Sequence, residues 1–82
     1  MEYYLLDVKR TVQVNGVDVA FDYINTYYYP NEAINEAMVL SMNDEVLHAS
    51  VHEWYVNENG EHDHCNGDDS ILYLYEKKRL NG

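Results

Sequence analysis

Apolar and polar side chains alternate along the first quarter of the chain. Leu6, Val8, Val12 and Val14 share one parity, broken by Arg10, while Asp7, Lys9, Thr11 and Gln13 take the other. Period two marks a strand with one dry and one wet face, so Tyr3–Val14 is predicted as a strand. Asn15-Gly16 follows, and this pair accepts the positive φ that both central positions of a two-residue hairpin turn require. Val17, Val19, Phe21 and Tyr23 then resume the alternation against Asp18, Ala20 and Asp22. Such a turn sets Val14 opposite Val17, Val12 opposite Val19 and Val8 opposite Tyr23, all apolar pairs on one face.

The period changes after Tyr27-Tyr28-Tyr29. Pro30 cannot extend a strand interior but fits the first turn of a helix, and Asn31 is a second candidate for its start. Ile34, Ala37, Met38, Ser41 and Met42 then form a stripe at helical spacing, with Glu32 and Glu36 outside it. A helix over about residues 31–43 is expected, about 20 Å long at 1.5 Å per residue, with its methionines filling the core. Asn43-Asp44 ends it. Val46–Val56 reads as a strand from its β-branched and aromatic content, although Leu47, Val51, Trp54 and Tyr55 would also fit one face of a helix. Asn59-Gly60 and Asn66-Gly67 are two turn signals close together, so that Glu61–Cys65 is either a short strand between two turns or part of one mobile loop, and the loop is the reading taken. Ile71–Tyr75 is apolar at every position, which predicts a strand buried on both faces at the centre of a sheet. The order strand, strand, helix, strand, strand implies an α+β fold in one domain over residues 1–82. Its mostly antiparallel four-stranded sheet would carry the helix on one face and tyrosines on the other.

Charge changes this picture most. Fifteen acidic residues stand against five basic ones, a net charge of −10. From Thr11 to Glu76 there is no Lys or Arg, and all the acidic residues but Glu2 and Asp7 fall in that span. On so small a body this sets up a negative field reaching about 8 Å at physiological salt, repelling nucleic acid and anionic membrane and attracting basic proteins. One cysteine excludes an internal disulfide and suits a reducing compartment. With no basic leader and no long apolar run, a cytoplasmic setting is expected.

Three groups of side chains are candidates for chemistry. His62, His64 and Cys65, with Asp63, Asp68 and Asp69 beside them, have the donor types of a zinc site. Three ligands within four residues strain a single ion, however, so a metal- or ligand-binding module stands as the alternative reading and no cofactor is expected. His48 and His52 would share a helix face, but on a strand they lie about 13 Å apart at ~3.3 Å per residue, too far for one ion. Cys65 beside His64 is the one candidate nucleophile, and it lacks an evident oxyanion hole, so no catalytic residue is expected. The third group is the nine tyrosines, too many for so small a core. Tyr28 with its neighbours, and Trp54, offer stiff contact area with a polar tip, as interfaces favour.

An acidic chain of this size, with carboxylates interleaved with aromatics, resembles the small inhibitors made by phages and mobile elements, including the anti-CRISPR proteins. The resemblance lies in size, charge and layout over the whole chain. It implies a non-enzymatic inhibitor that offers carboxylates where a basic protein grips phosphates. Asp18, Asp22, Glu53, Glu58, Glu61, Asp63, Asp68 and Asp69 would supply charge, and Trp54 and Tyr28 the anchors. The partner would be a basic nucleic-acid-binding protein, with no direct contact to nucleic acid or membrane. An oligomeric accessory subunit, a homodimer through its tyrosine face, is a further alternative.

Overall fold

A computed structural model describes residues 1–64 and 70–78. Six elements follow in order: β1 Glu2–Val14, β2 Val17–Tyr27, α1 Pro30–Ser41, β3 Val46–Val56, β4 His62–His64 and β5 Ile71–Glu76. The fold is α+β, with every strand pair antiparallel and the sheet ordered β2-β1-β3-β4. β5 shares the outer side of β3 with β4: β4 lies opposite Trp54–Val56 and β5 opposite His48–His52. The last two strands thus fill one sheet position end to end.

The first hairpin has the predicted register, Val14 opposite Val17, Val12 opposite Val19 and Val8 opposite Tyr23, continuing unbroken to Tyr4 opposite Tyr27. Asn15 and Gly16 take φ of 53° and 81°, the left-handed pair that the turn needs. Arg10, the exception on the apolar parity, reaches Glu45 at 3.1 Å. β1 leaves β3 at Arg10, opposite Val46, so the hairpin beyond it stands clear of β3 as a two-stranded arm.

Helix α1 begins on Pro30, preceded by Tyr29 in extended conformation with no side-chain cap bond, and Glu32 in the first turn complements the helix dipole. Its end tightens as the Asn43 N–H donates to the Leu40 carbonyl at 3.0 Å, and Asn43 Oδ1 then accepts the Glu45 N–H at 2.9 Å. The helix lies on β3 and β1 through Ala33 and Ala37, small enough to bring its backbone close. Beneath them Tyr4, Leu6, Val8, Val46, Ala49 and Val51 complete the buried core.

The structure departs from expectation at four points. The tyrosines are mostly on the helix side and not opposite it: Tyr4 belongs to the core and Tyr23, Tyr27, Tyr73 and Tyr75 pack against it, because the strand register gives them the parity of Leu6 and Val8. The methionines do not fill the core: Met38 and Met42 are 50% and 78% exposed, and the inward positions go to Ala33, Ala37, Ile34 and Leu40. The helix meets the sheet most closely at Ala33 and Ala37, and Met38 and Met42 fall outside the face that this contact turns inward. Nor is β5 central. It lies at the edge, and Leu74 is 58% exposed, because the helix covers only one face of the sheet. Tyr73 and Tyr75 turn to the helix side, where the Tyr73 hydroxyl donates to Ser41 Oγ at 2.8 Å and Ser41 in turn donates to the Ala37 carbonyl at 2.6 Å. Finally, His62–His64 is a strand and not loop. Asn57 Oδ1 accepts the N–H groups of Asn59 and Glu61, both at 2.9 Å, closing a turn that lays the following residues against β3.

Candidate partner-binding surface

Strand alternation determines which side chains face away from the helix. On β1 these are Tyr3, Leu5, Asp7 and Lys9; opposite them stand Asp22, Ile24 and Thr26 on β2, and His48, Ser50, His52 and Trp54 on β3. Among the described residues, this open face carries a charged hollow and an aromatic one. The first, of about 370 Å³, is lined by Asp7, Lys9, Asp22, His48, Glu76 and Lys77 among others. The second, of about 340 Å³, is lined by Met1, Tyr3, Leu5, Thr26, Tyr28 and His62 among others, and its wall is largely apolar. The two share a face, a pairing suited to a partner that presents both a cation and an apolar group.

Between the hollows lies a hydrogen-bonded cluster that the sequence did not announce. His48 Nε2 and His52 Nε2 lie 3.0 and 3.2 Å from Ser50 Oγ, and His48 Nδ1 lies 3.5 Å from a Glu76 carboxylate oxygen. The two histidines stand four apart on one strand, and both rings lean inward to the serine between them. The hydroxyl has one proton, so it donates to one imidazole and accepts from the other. Glu76 favours N–H at His48 Nδ1, which leaves His48 Nε2 as the acceptor and His52 Nε2–H as the donor.

Carboxylate, imidazole and hydroxyl in that order resemble a hydrolase relay. Ser50, however, is 1% exposed in mid-strand with its backbone in the ladder opposite Asp7, so a substrate carbonyl has no access to Oγ. The hydrogen-bonded side chains all belong to β3, and the contact of His48 with Glu76 alone reaches across to β5. Ser50→Ala should lower stability by about 1 kcal/mol, since two half-buried imidazole nitrogens lose their partner. Urea unfolding measures this, and a loss under about 0.5 kcal/mol would mean that the cluster holds nothing.

The residues expected at a site do not all gather on this face. Asp18 and Asp22 are exposed on its β2 side, Trp54 is half-buried on it, and Tyr28, 64% exposed, lines the aromatic hollow. Glu53 and Asp63 belong to the opposite parity, on the helix side, beside Tyr4 and Tyr55 respectively. Glu58 and Glu61 are exposed on the turn after β3. The His62 ring stands edge-on to Tyr3, with Nδ1 2.9 Å from its hydroxyl. Asp68, Asp69, Cys65 and the side chain of His64 lie outside the described residues. Among the described residues no three His, Cys, Asp or Glu side chains form a group able to hold a metal ion. Tyr27 belongs to the packing and not to a contact surface: burial first, then the charge of Glu36, pushes its hydroxyl above the ordinary tyrosine range, partly offset by a bond to Asn25. Asp7 and Glu76 were not anticipated in the charged hollow, and only the strand register brings them there.

The geometry defines a small α+β domain with one helix-covered face and one open face of mixed acidic and aromatic character. No family model, curated protein or solved structure matches the chain.

Proposed function

We propose that this protein is a non-enzymatic inhibitor that binds a basic nucleic-acid-binding protein, such as a CRISPR effector, and keeps its nucleic acid out. The observation that carries this reading is a stretch from Thr11 to Glu76 without Lys or Arg, whose Asp18, Asp22, Glu58 and Glu61 are all exposed. Supporting it, Tyr28 and the aromatic hollow sit on the same face as Asp18 and Asp22, so a contact can bury rings while carboxylates meet Lys and Arg at its rim. The buried position of Ser50 favours binding over acyl chemistry at the one relay-like cluster described.

Competition tests the reading. Labelled protein is titrated into a purified basic nucleic-acid-binding protein, a guide-loaded CRISPR effector being the first choice, with its DNA substrate as competitor. DNA should displace the inhibitor, and affinity should fall about tenfold or more between 50 and 200 mM salt as charge attraction is screened. Affinity indifferent to both salt and DNA would defeat the proposal.

A further inference from the structure

The two sides of the sheet end differently. On the far side of β3, pairing is broken between β4 and β5, shifts register at Val51/His52, and runs out into Glu76-Lys77-Lys78. Interruption, register shifts and lysine are devices that discourage further strand pairing. The other side has none of them. β2 forms the edge for eleven residues, VDVAFDYINTY, without Lys, Arg, Pro or Gly, and its register with β1 has no bulge.

The turn geometry says which groups this edge leaves unpaired. With a two-residue turn, Val14 and Val17 form a hydrogen-bonded pair, and the alternation then commits Val19, Phe21, Tyr23, Asn25 and Tyr27 to β1. The N–H and C=O groups of Asp18, Ala20, Asp22, Ile24 and Thr26 point outward. The same rule turns the Thr11 N–H away from β2, and it donates to the Glu45 carbonyl at 2.8 Å.

Side chains along this edge sort by face. Asp18 and Asp22 stand on the open side, and Val17, Val19 and Phe21, all at least 40% exposed, stand on the other. We infer that β2 is a docking edge that adds an extended segment of the partner as a further strand. That segment alternates basic side chains, opposite Asp18 and Asp22, with apolar ones, opposite Val19 and Phe21. Charge complementarity selects this occupant over a second copy of the chain, which would bring another net charge of −10 to the same edge. Backbone pairing supplies attachment, and the alternation of acid and apolar positions supplies selectivity. The inference rests on the proposed function and specifies how the partner is held.

The test uses two twelve-residue peptides of equal composition, one a Lys-Val alternation and the other a Lys-Lys-Val-Val repeat. Amide exchange followed by NMR should show the alternating peptide slowing exchange at Ala20, Asp22 and Ile24, with the repeat peptide binding more weakly. Ala20→Pro removes one outward N–H without touching the ladder to β1. It should weaken the alternating peptide about three- to tenfold while leaving the melting temperature within a few degrees. Phe21→Pro, which breaks the ladder itself, should unfold the arm and serves as the contrast. Equal binding of both peptides with no slowed amides would overturn the docking edge while leaving the charge reading intact. Binding of neither peptide, with no salt-dependent affinity for the basic protein either, would remove the function itself. The same amides protected in the protein alone, with a dimer in sedimentation, would give the edge to a second copy and overturn the inference.

Discussion

Leu6→Ala should leave most of the protein unfolded at 37 °C. Leu6 is fully buried, with Val51 opposite it on β3 and Asn25 on β2, in a core whose other wholly enclosed large side chains are Val8, Val46 and Val51. Deleting its isopropyl group removes about 2–5 kcal/mol, from lost burial and from the cavity that remains. A chain of this size has few such contacts to spare, and each kcal/mol moves the midpoint by about 4–8 °C. The melting temperature should therefore fall by about 10–30 °C. Leu74→Ala, at the same residue type but 58% exposed, should move it by only a few degrees. Thermal unfolding followed by circular dichroism separates the two. Equal losses would mean that the core does not lie between α1 and the β1–β3 pair.

How much of this was legible in the sequence depended on whether the signal was local. The first hairpin was, because Asn15-Gly16 and the valine alternation state the same register independently. The helix was legible in position but not in face. Met38 and Met42 fit a 3.6-residue stripe as well as Ala33 and Leu40 do, and only the closeness of the sheet decides for the small residues. β5 misled because an all-apolar run reads as burial on both faces, whereas Tyr73 and Tyr75 alone reach the helix and Leu74 stays in water. β4 depends on Asn57 Oδ1 bonding two backbone N–H groups, a geometry that the Asn59-Gly60 dipeptide does not convey.

The candidate surface divides in the same way. Exposed carboxylates such as Asp18, Asp22, Glu58 and Glu61 could be read from charge layout, since nothing in a small acidic domain draws them inside. The membership of each face could not. Glu53 and Trp54 are neighbours in sequence and point to opposite sides of the sheet, so they cannot serve one contact together unless it wraps the edge. The meeting of His48, Ser50, His52 and Glu76 needed the pairing of β5 with β3, a long-range register with no local mark.

The largest functional effect is expected from reversing charge. Replacing Asp18, Asp22, Glu58 and Glu61 by lysine changes net charge by two units at each of four exposed positions, from −10 to −2. None of the four carries a core contact, so the melting temperature should stay within a few degrees. Encounter with a basic protein would slow, and each carboxylate that met Lys or Arg would now repel it, a combined loss of about a hundredfold or more in affinity. The most direct measurement is the dissociation constant of this variant and of the unaltered protein for the same guide-loaded CRISPR effector, at 50 and at 200 mM salt. Loss of binding by the variant, and a steep salt dependence confined to the unaltered protein, are the predicted results. A folded variant that binds as tightly as the original at both salt concentrations would contradict a charge-based contact and leave the acidity with solubility as its role.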